Sequence, residues 1–264
     1  MYYANSLMLR LMLYNIYKGS GKRVPFIAKI VKDAKPDMLG LLETVAWGEN
    51  ELQRFARVSG LPHTFLGKAN TKYDMALLGV HTPQEVVNIQ EGFWHTVIRA
   101  VYQITSIEDL AIFLVHLNPK DTDARLKEVR RLVELTRSYR HTVIMGDFNS
   151  LSPHDPYDHK ALLKLLRKQN IEKFGVGQLR FDCIKFVEAQ GFIDVMSTLN
   201  KPFTSTVPTP MNVDKMHAAP LRLDYVFISE GLRPFLRDAT TLTTPLADSA
   251  SDHYPLLVDF DLVQ

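Results

Sequence analysis

Four largely apolar runs, each stopped by a single polar residue, constrain this chain more than any other feature. Met8–Tyr14 meets Asn15, and Met38–Leu42 meets Glu43. Ala111–Val115 meets His116, and Val143–Gly146 meets Asp147, with Asn149 two residues further on. Runs this short with no polar alternation read as strands covered on both faces. A carboxylate at the end of such a strand is costly to bury without a partner, so the polar stops need a common explanation.

Between these runs lie helical patterns. Pro25 suits a first helical turn, Ile27, Ile30, Val31 and Ala34 share one face, and the helix must stop before Pro36. Further helices are expected over Glu49–Val58, over Thr122–Ser138 (Leu126, Val129, Leu132 and Val133 on one side), near Asp158–Lys168, and over Arg180–Gln190 with Gly191 closing the last. Tyr73 to His116 reads mostly as strands with turns at Pro83 and Gly92. Thr142–Met145, Leu221–Ile228 around Asp224, and His253–Leu262 behind Asp252 complete the strand set. Consecutive strands with short turns pair antiparallel. The fold class expected is α+β: a four-layer α/β/β/α sandwich of two mixed, mostly antiparallel sheets with outer helices. With no repeat, linker or low-complexity tract, residues 1–264 are expected to form one domain.

Composition narrows the function classes. Lys plus Arg number 31 against 29 Asp plus Glu, so the formal charge is +2 and no global basic excess marks a general nucleic-acid binder. The lone Cys183 forbids an internal disulfide and reads as core filler, which fits a reducing, cytoplasmic setting. No apolar run reaches the ~20 residues of a membrane span, and the start lacks the pattern of a signal peptide. The Pro- and Thr-rich stretch Lys201–Pro220 reads as a long loop near a site.

Carboxylates and amides gathered at one rim would repel or go unpaired unless a cation held them. Their oxygens are hard ligands, suited to Mg²⁺, with Mn²⁺ as the alternative. The motifs around them add weight. Gly146-Asp147-Phe148-Asn149 resembles the GDFN motif of the endonuclease/exonuclease/phosphatase superfamily, the deoxyribonuclease-I-like fold. Ser251-Asp252-His253-Tyr254-Pro255 is similar to its C-terminal SDHxP, and Arg222–Phe227 to its RLDYxF strand. Tyr14-Asn15-Ile16, Leu42-Glu43, and His116-Leu117 followed by Arg125 match the rest, in the family's order. Two departures are Leu42 where Gln is common, and the lack of a glycine in Tyr73–Leu77.

The resemblance implies a divalent-metal-dependent hydrolase acting on a phosphate-ester substrate, nucleic acid among the candidates. It implies Glu43 as the main metal carboxylate, with Asn15 and Asp252 near the cation. Asp147, Asn149, His116, His253 and Asp224 would be catalytic, Asp224 orienting His253, with Asp147 or His253 as the base. The alternatives are a phosphomonoesterase and a catalytically silent binding module. Asp147 and Asn149, two apart in extended backbone, would face the same side with Phe148 in the core. Weaker signals are the basic loop Lys18–Arg23, read as a flexible surface loop, the group His154–His159, read as a helix lead-in, and Trp47, Phe93 and Trp94, read as core or rim packing with base stacking as the alternative.

Overall fold

The computed structural model describes residues 8–104, 107–211 and 219–262. The first half comprises β1 (Met8–Asn15), α1 (Val24–Ala34), β2 (Met38–Leu42), α2 (Glu49–Ser59), β3 (His63–Gly67), β4 (Met75–Gly79), β5 (Glu85–Ile89), β6 (Val97–Ile104) and β7 (Ile107–His116). The second half comprises α3 (Thr122–Thr136), β8 (His141–Asp147), α4 (His159–Lys168), α5 (Asp182–Ala189), β9 (Phe192–Asp194), α6 (Val195–Thr198), β10 (Asp224–Ser229), β11 (Leu236–Thr241), α7 (Ala247–Ala250) and β12 (Leu256–Asp261).

The strands form two six-stranded sheets, ordered β11-β12-β1-β2-β4-β3 and β5-β6-β7-β8-β10-β9. Alternation along each strand builds the layers. In β1, Leu9, Leu11 and Leu13 pack between the sheets, while Met12 and Tyr14 face α1, α2 and α7. In β7, Leu110, Ile112 and Leu114 join the same inter-sheet core, and Ala111, Phe113 and Val115 pack under α3 and α5. Both faces of each central strand are therefore covered, as the continuous apolar runs require, and the expected α/β/β/α sandwich is what forms.

One parallel pair lies inside each sheet, β1 with β2 and β7 with β8. α1 and α3 make the crossovers, so both strands of each pair end at the same rim. That places Asn15 beside Leu42 and His116 beside Asp147. β12 and β10 run antiparallel to them and begin at that rim. Leu256 pairs with Leu13, and Asp224 with Asp147. The polar stops gather because strand direction makes them gather.

Local chemistry sets the element ends. Asp121 caps α3 by accepting from the Ala124 amide at 2.6 Å, and Asp158 caps α4 from Lys160 and Ala161 at 3.0 Å. Lys35, in left-handed backbone, closes α1 before Pro36. Gly146 is needed where β8 meets β7, because a Cβ there would lie 1.8 Å from the Val115 carbonyl oxygen.

Several expected boundaries shift. β10 begins at Asp224 rather than Leu221, because Leu221 and Leu223 turn into a satellite core with Leu151, Leu166 and Phe174. β12 begins at Leu256 rather than His253, since Pro255 offers no ladder donor. α3 ends at Thr136 and α5 begins at Asp182. The Lys18–Arg23 loop is tied down rather than flexible. The Gly19 amide donates to the Glu43 carbonyl at 2.7 Å, and the Arg23 guanidinium donates to the carbonyls of Ala250 and Tyr17. Met211 ends the described part of the Lys201–Pro220 loop before residues 212–218, which lie outside the description.

Candidate active site

The rim opens into a cavity of about 410 Å³, walled by Glu43, His116, Asp147, Asn149, Asp252 and His253 from both sheets. Asn15 and Asp224 stand behind this wall and hold it. The Asn15 amide nitrogen lies 3.3 Å from Glu43 Oε1 and 3.5 Å from Asp147 Oδ2, so one NH₂ group spans a carboxylate from each sheet. The Tyr17 amide donates to Asn15 Oδ1 at 3.1 Å, which fixes that orientation. Asp224 Oδ2 lies 2.7 Å from His253 Nδ1, leaving Nε2 on the Asp147 side, 3.9 Å from Asp147 Oδ2. His116 Nε2 approaches the same oxygen at 3.5 Å. The Ser251 hydroxyl donates to the Asn15 carbonyl at 2.6 Å and ties the Asp252–His253 segment to the end of β1.

Glu43 and Asn149 both adopt left-handed backbone, with φ of 63° and 47°. For Asn149 this corrects the extended geometry expected from its spacing. The chain turns after β8, and the Asn149 amide donates to Asp147 Oδ1 at 2.8 Å, an Asx-type turn. Phe148 still enters the core, fully buried against Tyr225 and Phe227. Glu43 is clasped by the basic loop, since the Lys18 amide donates to its Oε2 at 2.9 Å. Gly19 makes the clasp feasible, as a Cβ there would lie 2.2 Å from the Val45 carbonyl oxygen.

The electrostatics are those of crowded, dry carboxylates. Burial pushes the Glu43 carboxyl up, against the opposing pull of the Lys18 amide and His253. Burial and then the charge of Asp224 push Asp147 up, against His253 and Lys173. For His253, burial favours the neutral ring, but Asp224, Asp252 and Asp147 together outweigh it and raise its pKa. His116 goes the other way, its pKa held well below the usual range by burial and by the nearby His95 and His253. Ligating atoms of Asp147, Asp224 and His253 lie within 4.8 Å of one another, and Asp224 Oδ1 is buried with no hydrogen-bond partner among the described residues. Carboxylates that burial and mutual repulsion hold up, with hard oxygen donors, fit a divalent cation of the magnesium or manganese kind.

Two buried residues of the cavity escaped the sequence reading. His95 is buried and stacks on His116 at 4.5 Å between ring centroids, with Thr71 Oγ1 2.6 Å from its Nδ1. Lys173 is buried with its Nζ 3.3 Å from Asn149 Oδ1. Both sit in irregular segments, where no periodicity flags them. The group His154–His159 is confirmed as a helix lead-in, for Asp158 caps α4, and Asp155 pairs with Arg222. Trp47 and Phe93 are packed in the cores, whereas Trp94 is 42% exposed at the cavity mouth.

A sequence model described as the Endonuclease/Exonuclease/phosphatase family matches residues 12–253. Among solved structures, the chain is similar to an AP endonuclease from Archaeoglobus fulgidus (20% identity, TM-score 0.70, covering 96% of this chain and 99% of that one). It is similar to a 3′ phosphatase, NExo, from Neisseria bound to product DNA hairpin (18% identity, TM-score 0.70, 96% and 99%). A third similar structure is an endonuclease/exonuclease/phosphatase from Beutenbergia cavernae (16% identity, TM-score 0.66, 96% and 71%). No curated protein sequence matches. No helix among the described residues is long and apolar enough to cross a membrane. With the profile running from the core of β1 to the histidine that Asp224 holds, the chain belongs to the endonuclease/exonuclease/phosphatase family.

Proposed function

We propose that this protein is a divalent-cation-dependent hydrolase of phosphate diesters, nuclease-like in its substrate. One observation carries the reading: His253 is held by Asp224 and faces Asp147 in the wall of a cavity whose other side presents Glu43. Glu43 and Asp252 would hold a Mg²⁺ or Mn²⁺ ion, with Asn15 keeping Glu43 and Asp147 together. When bound, the cation screens the phosphate and the charge that develops on it.

The residues divide the remaining work. Asp224 keeps the His253 imidazole charged and fixes its orientation, so His253 is the donor, from Nε2, to a phosphate oxygen. Asp147, raised in pKa and in reach of the cavity, is the group that accepts the proton of the attacking water. Neutral His116 and the Asn149 amide hold the non-bridging oxygens. Attack in line with the leaving oxygen then breaks the P–O bond, and the proton taken up by Asp147 passes through solvent to the departing alkoxide.

The mouth supports an anionic substrate bearing flat rings. Lys18 lies over Tyr17 at 4.5 Å, Lys72 over Tyr73 at 5.6 Å, and Lys120 over Trp94 at 5.7 Å, and all six side chains line the cavity. Lysines attract phosphates and aromatic faces stack bases, so a local basic mouth offsets the near-neutral whole.

The test is hydrolysis of bis-p-nitrophenyl phosphate and p-nitrophenyl phosphate with added Mg²⁺, followed by single-stranded DNA, RNA and abasic duplex. Diester turnover above monoester turnover, reduced about 10²–10⁴-fold by Asp147→Ala or His253→Ala, is the expected result. Monoester preference would favour a phosphomonoesterase, and absence of turnover on every substrate would favour a silent binding module.

A further inference from the structure

We propose that Lys173 is a further catalytic residue, whose ammonium binds a non-bridging oxygen of the substrate phosphate while it fixes the orientation of the Asn149 amide. The proposal rests on the phosphate-ester reading of the cavity and adds to it the cation that the motifs do not supply.

Lys173 is 6% exposed, lines the cavity with Asp147, Asn149 and His116, and sits 3.3 Å from Asn149 Oδ1. Leu117's carbonyl takes the other end of that amide, from Nδ2, at 3.3 Å. With its oxygen taken by the ammonium and one N–H by the Leu117 carbonyl, the Asn149 amide has a second N–H, which the proposal assigns to the incoming anion. An amide facing the wrong way would repel a phosphate oxygen, so the lysine acts twice, by its own charge and by setting a second donor.

The backbone that delivers Lys173 is braced from α3. Its carbonyl accepts from the Arg125 guanidinium and from the Thr122 hydroxyl, the latter at 3.0 Å. Arg125, itself 1% exposed, also donates to the Asn118 carbonyl at 2.9 Å. The Phe174 ring packs in the satellite core, and the ammonium lies 5.0 Å from its centroid. A buried ammonium is costly to desolvate. Here that cost falls in the cavity wall, on a segment whose backbone is braced from α3. That is the pattern of a preorganised anion donor.

Isothermal titration of inorganic phosphate into the full-length protein with Mg²⁺ tests this directly, comparing wild type with Lys173→Met and Lys173→Arg. Phosphate affinity is expected to fall about 10- to 100-fold in Lys173→Met and to recover most of the way in Lys173→Arg, with melting temperatures near wild type. Diester kcat/KM is expected to fall about 10²-fold in parallel. Should Lys173→Met not fold, Lys173→Gln takes its place. Affinity within twofold of wild type in the charge-free variant overturns the proposal, as does absence of phosphate binding by the wild type. Phosphate binding that depends on Lys173 in a protein that cleaves no ester would leave this assignment standing and sink the hydrolase reading.

Discussion

Asp224 faces Asp147 directly across the β8–β10 ladder, and His253 spans the two, 2.7 Å from the first and 3.9 Å from the second. Two carboxylates paired across strands repel each other, and the imidazolium between them offsets that repulsion. Stability and chemistry therefore draw on the same three residues.

Replacing Asp224 by Asn separates these roles. The amide keeps the size but removes the charge that holds His253 protonated. Diester turnover is expected to fall about 10²–10⁴-fold, with a modest fall in melting temperature, because the lost buried pair with His253 is partly offset by the like-charge contact with Asp147 that is gone. Kinetics and a thermal melt on the same sample check both halves, and wild-type turnover in this variant would remove Asp224 from the mechanism.

The stacked histidines make stability depend on pH. Burial holds His95 at about 4, below its ordinary 6.5, and His116 is shifted in the same direction. Below 6.5 the unfolded chain takes up protons that the folded chain refuses. Stability is thus complete above that pH and is lost as pH falls toward 4, by up to about 3 kcal/mol for His95. His95→Phe keeps a ring against His116 without the titrating nitrogen. Urea midpoints at pH 7.5 and 5.0 are expected to lie closer together in this variant than in wild type, and an unchanged gap would refute the assignment.

Arg222 is the buried brace of the second sheet. Its guanidinium pairs with Asp155 at 2.9 Å and Asp194 at 2.7 Å, and stacks on Tyr225 at 4.5 Å. Arg222→Met strands two buried carboxylates and is expected to cost about 3–5 kcal/mol in urea unfolding. A loss below about 1 kcal/mol would mean that the network is solvent-screened.

Gly146→Ala tests the β7–β8 contact. Its methyl would meet the Val115 carbonyl oxygen at 1.8 Å, against backbone that cannot move aside without breaking the ladder. Loss of about 3 kcal/mol or failure to fold is expected, read by circular dichroism and chemical denaturation. A variant as stable as wild type would show that the strands have room to part.

The legible part of the sequence was the part governed by burial on both faces. β1, β2, β7 and β8 each end in a largely apolar run, so their ends, and with them Asn15, Glu43, His116 and Asp147, stand out in the letters. Among the described strands, three of the four at sheet edges were not legible. β3 is half-buried through four of its five residues, β9 has three residues, and β11 sets adjacent charged residues, Arg237 and Asp238, before the small Ala239, Thr240 and Thr241 on an open edge, so none has a run or period to detect. Asn149 illustrates a different failure. Spacing suggests that it shares a face with Asp147, but a turn with positive φ sets its direction, and side-chain hydrogen bonding decides that turn. Lys173 and His95 reach the cavity from irregular chain, held by Arg125 and Thr71, and only tertiary contacts reveal them.

The most direct measurement of the central claim is Mn²⁺ binding followed by electron paramagnetic resonance, in wild type and in Glu43→Gln, with diester turnover recorded at each metal concentration. Turnover that rises with Mn²⁺ occupancy in the wild type, vanishes with a chelator, and collapses along with occupancy in the variant is the expected outcome. Equal occupancy in both proteins, or turnover indifferent to the chelator, would contradict it.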